Sequence, residues 1–139
     1  MTSARKLVLV VEDSPVQAMA LQQLLEPKGL QVLRALDGRV GIAMAERHLP
    51  DVIILDIQMP EMDGMEVCRR LKQNPQTRHI PVVMLTAHSE LATLLQGLSL
   101  GAVDFIPKDA FSDTVLLETL RQLHMLDDGI RTGDDRRKS

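Results

Sequence analysis

The sequence predicts an α/β fold: a doubly wound, five-stranded parallel sheet with helices on both faces. Three observations lead there. Apolar runs rich in β-branched residues recur at residues 7–11, 30–35, 52–55, 80–85 and 103–106, each of a length that suits a strand buried on both sides. Helical segments separate them, so successive strand–helix–strand units are right-handed crossovers in one sheet. Polar residues gather immediately after several of the strands, where an open α/β sheet binds its ligands.

The first strand ends in Glu12-Asp13, and Ser14, Pro15 and Gln17 then supply an N-cap, a proline at the first helical position and a capping-box partner. The helix they start carries Val16, Ala20 and Leu24 on one face and ends before Pro27. After the second strand, Asp37 begins a helix to about His48. The central strand ends on Asp56, and Pro60 pushes Met59 towards an extended conformation, so a loop follows. Asp63 and Glu66 have capping-box spacing and start the next helix at Gly64, which stops at Asn74-Pro75. The fourth strand ends on Thr86. A leucine-rich helix over residues 89–100 stops at Gly101. The fifth strand runs into Pro107-Lys108, and Ser112 caps a last helix through about Met125. Residues 6–126 therefore read as one domain, and residues 127–139, without periodicity, as a polar tail or linker stub.

Composition narrows the function classes. At 139 residues with 45% hydrophobic content, the chain can bury a core without staples. A net charge of −3, no Trp, no Tyr and two Phe give no case for nucleic acid or an anionic membrane as a partner. The apolar run at residues 7–11 is too short for a signal-peptide core or a membrane span. One cysteine, Cys68, excludes an internal disulfide and suits a reducing compartment, so the expected location is the cytoplasm. Cys68 itself reads as a small buried helix residue.

The strand ends carry the chemistry. The first supplies Glu12 and Asp13, the central one Asp56, the fourth Thr86 and the fifth Lys108, all on one edge of the sheet. Three carboxylates this close raise one another's pKa unless positive charge sits among them. Lys108 offsets one charge, and Mg²⁺, which takes oxygen ligands and needs only one or two carboxylates, suits the rest. The four histidines are scattered, so zinc is not indicated. A carboxylate beside Mg²⁺, an ammonium and a hydroxyl is equipped as a nucleophile in phosphoryl transfer.

The motifs Val10–Ser14 (VVEDS), Leu55–Gly64 (LDIQMPEMDG), Leu85–Ala87 (LTA) and Asp104–Lys108 (DFIPK) resemble the receiver domain of two-component response regulators, in order and spacing, over residues 6–126. The resemblance implies a flavodoxin-like (βα)5 fold with strand order 2-1-3-4-5. It implies Asp56 as phospho-acceptor, served by a sensor histidine kinase or phosphotransfer protein. It makes Asp13, Asp56 and the Gln58 backbone carbonyl Mg²⁺ ligands, with Glu12 nearby through water. Thr86 and Phe105 take the places of the switch pair, Lys108 that of the phosphate-contacting lysine, and Gln58 and His88 those that tune the lifetime of the phosphorylated state. Asp109 stands where the family usually has proline after a cis bond, so a trans bond and a different loop are expected here.

Competing readings are a phosphorylation-independent docking pseudo-receiver and a Mg²⁺-dependent phosphohydrolase with an Asp nucleophile. The second needs a general acid two residues beyond Asp56, where Gln58 stands. The chain is thus expected to catalyse only its own phosphorylation and dephosphorylation. No output domain is expected within residues 127–139. The fourth helix divides the arguments. Its periodicity puts Leu91, Leu94, Leu95 and Leu98 in one core-like stripe, whereas the resemblance turns Thr93, Gly97 and Leu100 to the sheet. On the second reading the leucines form a docking face, with the fifth strand and last helix, for a downstream protein or a homodimer.

Overall fold

Each apolar run forms a strand, and local capping starts the helices behind the first three. The chain is described by a computed structural model at residues 5–87, 91–109 and 112–126, with only the backbone described at 91–93. β1 (Leu7–Val11) leads into α1 (Pro15–Leu25), β2 (Gln31–Ala35) into α2 (Gly38–His48), and β3 (Val52–Asp56) into α3 (Gly64–Gln73). β4 (Val82–Thr86), α4 (Leu91–Ser99), β5 (Asp104–Pro107) and α5 (Ser112–Gln122) complete the alternation. All strand pairs are parallel, in the order β2-β1-β3-β4-β5, so the sheet is the predicted doubly wound one.

The N-caps act as the sequence suggests, but the Gln17 and Glu66 side chains turn to Lys108 and to Arg69 and Arg70 instead of closing their capping boxes. Ser14 Oγ accepts from the Gln17 N–H at 3.3 Å, Asp37 Oδ1 from Val40 at 2.8 Å and Asp63 Oδ1 from Glu66 at 3.0 Å. Each such bond stabilises its helix by about 1 kcal/mol. Side chains alternate across the sheet with period two. Leu9, Val11, Ile53, Leu55 and Met84 pack with Val67, Cys68 and Leu71 of α3 and with Ala45 of α2. Val8, Val10, Ile54, Val83, Leu85 and Ile106 pack with Ala18, Leu21 and Leu25 of α1 and with Leu116 and Leu120 of α5. Cys68 is fully buried, and burial pushes its thiol pKa up, which makes it a core residue and not a nucleophile.

Several expectations are corrected. The inward stripe of α1 is Ala18, Leu21 and Leu25, while Val16 and Ala20 are exposed and Leu24 is half-buried. With no charged residue in α1, two apolar stripes were available, and the packing on β1 and β2 selected the other one. Leu30, Ile80 and Val103 lie just outside their strands, and β4 and β5 extend to Thr86 and Pro107. The helix before Gly101 ends at Ser99, one residue earlier than expected, and the last helix ends at Gln122 instead of Met125. Ser112 is the first residue of α5, and its N–H and Oγ both donate to the Asp109 carbonyl. The expected tail, residues 127–139, lies outside the described residues, as do His88 and Ser89.

A carboxylate site at the end of the central strands

The site is built where the sheet order reverses, between β1 and β3. Glu12 and Asp13 follow β1 directly, and the Glu12 N–H still bonds the Ala35 carbonyl at 3.0 Å, so its position is set by the sheet ladder. Asp56 closes β3, paired with Leu85 of β4. Gly64 holds the returning chain close: its N–H reaches the Ile57 carbonyl at 2.8 Å, and a Cβ there would sit 2.5 Å from the Asp56 carbonyl oxygen. Only glycine fits this approach of α3 to the strand end.

Carboxylate oxygens of Glu12, Asp13 and Asp56 lie within 4.8 Å of one another. Glu12 and Asp56 are buried and Asp13 is half-buried. Lys108 crosses from the end of β5, with Nζ 3.1 Å from Asp56 Oδ1, 3.1 Å from Glu12 Oε1 and 2.7 Å from Gln17 Oε1. Burial raises the Glu12 pKa, aided by the Asp56 charge and opposed by the Ser14 N–H and Lys108. Burial also pulls the Lys108 pKa down, but Glu12 and Asp56 together outweigh it and hold the ammonium above its ordinary value. One ammonium thus faces three carboxylates. That donor set, all oxygen and short of positive charge, fits a hard divalent cation.

Thr86, fully buried, ends β4, and its carbonyl accepts from the Lys108 N–H at 2.6 Å, tying the two strand ends together. The Gln58 N–H donates to Asp56 Oδ1 at 3.3 Å, and Gln58 Oε1 accepts from the Ala87 N–H at 3.4 Å. Gln58 therefore bridges the loops after β3 and β4. Phe105 is buried, paired with Met84 and packed against Gly97. The Lys108–Asp109 bond is trans.

The structure brings Glu12, Asp13, Asp56 and Lys108 together, with Thr86 and Gln58 on the adjoining strand end and loop. It keeps Phe105 in the core, not at the site. Of the leucines, Leu95 and Leu98 are exposed, but Leu94, like Leu100, packs half-buried on the core, which corrects its assignment to an outward face. The side chain of Leu91 and all of His88 lie outside the described residues. Gln17 was missed as a site residue. Its signal was its place one turn into the helix that follows Glu12-Asp13, where the capping box already accounted for it.

This fold and this carboxylate–lysine site define a receiver domain. The response regulator receiver domain model matches residues 8–121, and the chain belongs to that family. Response regulator PleD of Caulobacter vibrioides is 45% identical over 116 residues, covering 84% of this chain and 25% of that protein. The chain therefore spans about a quarter of that relative's length. Chemotaxis protein CheY4 of Vibrio cholerae superposes with a TM-score of 0.80 at 32% identity, covering 86% of this chain and 99% of that one. The receiver domain of sensor histidine kinase PA1611 from Pseudomonas aeruginosa superposes with a TM-score of 0.78 at 28% identity, covering 86% and 98%. That structure has a magnesium ion coordinated in its active-site cleft. Receiver domains work with histidine kinases and downstream effectors, in two-component signalling. Among the described residues, no helix is long and apolar enough to cross a membrane.

Proposed function

We propose that this chain is a phosphorylation-dependent switch whose phospho-acceptor is Asp56. The observation that carries the reading is the Lys108 ammonium 3.1 Å from Asp56 Oδ1, in a site with two further carboxylates. An Asp56 oxygen attacks the phosphorus of a phosphohistidine on a sensor kinase or phosphotransfer protein. The new P–O bond forms as the P–N bond breaks, and its electron pair returns to the imidazole. Glu12, Asp13, Asp56 and the Gln58 carbonyl would hold Mg²⁺, which when bound neutralises charge on the phosphoryl oxygens. Lys108 contacts one phosphoryl oxygen and Thr86 donates to another, while Phe105 answers the movement of Thr86 by packing. Water later hydrolyses the acyl phosphate, and no other turnover is assigned. On this reading the chain meets its kinase donor in the cytoplasm, with residues 6–126 as the receiver unit.

The readout surface in this proposal is the face of α4, β5 and α5, where Leu95, Leu98, Val103 and Val115 are exposed. A downstream protein or a second copy docks there. The decisive test is labelling by acetyl phosphate with Mg²⁺. Wild type takes up one phosphoryl group and Asp56→Asn takes up none; efficient labelling of the variant would remove the assignment. Asp13→Asn weakens Mg²⁺ binding, read by titration, because it removes a charged ligand from a hard-cation site. Alanine at both Gln58 and His88 changes the rate of acyl-phosphate loss and leaves labelling intact.

A further inference from the structure

The capping box at the start of α1 is only half used for capping. In a complete box, the Gln17 side chain would reach back to the Ser14 N–H. Glu12 Oε2 takes that N–H instead, at 3.1 Å. Gln17 keeps the backbone half of the box, its own N–H on Ser14 Oγ at 3.3 Å. Its side chain, released from the cap, accepts from Lys108 Nζ at 2.7 Å, the shortest polar contact of that ammonium among the described residues.

An ammonium has three hydrogens to donate and no more. Glu12 Oε1 accepts one in a hydrogen bond, Asp56 Oδ1 faces a second as an ion pair at 3.1 Å, and Gln17 Oε1 accepts the third. A phosphoryl group on Asp56 can put one oxygen in the place of Asp56 Oδ1 itself, and a second contact with Lys108 then displaces Glu12 or Gln17. Glu12 is a poor one to displace, since it is charged and 2% exposed, and a carboxylate left unpaired at such depth is costly. Gln17 is neutral and exposed, and its amide turns to water at little cost.

We infer that Gln17 is a positioning residue: it holds the third hydrogen of Lys108 in the unphosphorylated site and yields it to the phosphoryl group. This rests on the phospho-acceptor reading above. An interaction present before the reaction and absent at its transition state slows the forward step alone. Gln17 thus sets how readily Asp56 is phosphorylated without setting how long the product lasts.

Two variants of nearly equal shape separate this from a helix-capping role. Gln17→Met removes the acceptor, and Gln17→Glu replaces it with a charged one that grips the ammonium harder. With acetyl phosphate as donor, an Asp56 oxygen bonds phosphorus and acetate leaves with the electron pair of the broken P–O bond. At saturating Mg²⁺, Gln17→Met is labelled about threefold to tenfold faster than wild type, the factor one hydrogen bond commonly carries. Gln17→Glu is labelled more slowly than wild type. The first-order loss of label from Gln17→Met matches wild type, and thermal melts confirm that both variants fold. A purely structural residue would move both variants the same way. Labelling of Gln17→Met at or below the wild-type rate, or loss accelerated as much as labelling, overturns the inference while leaving Asp56 as acceptor. Failure of wild type itself to be labelled would overturn both.

Discussion

Helices α3 and α4 follow neighbouring strands and lie on the same side of the sheet, yet they meet it differently. α3 buries Gly64, Met65, Val67, Cys68 and Leu71 and carries Glu66, Arg69 and Arg70 on its outer side. Those charges pair with one another, Arg70 Nε to Glu66 Oε2 at 2.8 Å and Arg69 to the same carboxylate. The arginines, Arg69 foremost, hold the Glu66 pKa below the usual carboxylate range. α4 has no charged residue from Leu91 to Ser99. It turns Gly97 to the sheet and leaves Leu95 and Leu98 56% and 44% exposed. Charge on one side of a helix settles which side is buried. Where charge is lacking, close packing decides, and leucine can be left outside. Such a face is what a protein–protein contact would use.

The contrast can be broken by substitution on each helix. Leu71, 1% exposed among Val67, Ile80 and Val82, should be the most sensitive position. Leu71→Ala is expected to cost about 2–5 kcal/mol in a urea melt, the range for a large-to-small change in a core. Gly64→Ala comes next, at about 1–3 kcal/mol, because the added methyl meets backbone of Asp56 and Ile57 that cannot swing aside. It should also slow labelling of Asp56 by displacing the strand end. A melt and a labelling rate that both match wild type would show that α3 can shift freely.

Gly97→Ala tests the other helix at its point of contact. The new methyl would lie 2.9 Å from Phe105 Cδ2 and 3.0 Å from Met84 Sδ, which are side-chain atoms able to yield. Alanine also regains about 1 kcal/mol of helix propensity over glycine. The net loss is expected to be about 1 kcal/mol or less, below that of Gly64→Ala, and a larger loss would mean that Phe105 has no second position. Leu98→Ser should move stability least, within about 0.5 kcal/mol, as surface changes do. Sedimentation or partner capture should register it instead, as lost association. A substantial loss of monomer stability would put Leu98 in the core and end the docking proposal.

Much of the site was legible without coordinates, for a local reason. A residue that directly follows a buried strand is placed by the strand itself, so Glu12, Asp13, Asp56, Thr86 and Lys108 could be assigned to one edge from their sequence positions. Strand order was not available in this way and came with the family resemblance. Helix caps at Ser14, Asp37 and Asp63 were equally plain, because each bond is made within three residues.

What the sequence determined by itself, then, is where the chain changes direction and what stands at each strand end. Periodicity left the rotation of the uncharged helices to the tertiary structure, although the family resemblance had already turned Gly97 of α4 to the sheet. α1 and α4 each offer more than one apolar stripe, and the choice fell to neighbours distant in sequence: the β1 and β2 side chains that received Ala18, Leu21 and Leu25, and the Phe105 ring and Met84 that needed Gly97. The tertiary structure alone decided the course of Gln17. A capping box is a contact over three residues, whereas Lys108 lies 91 residues away, and only the folded sheet brings that ammonium within reach of the amide.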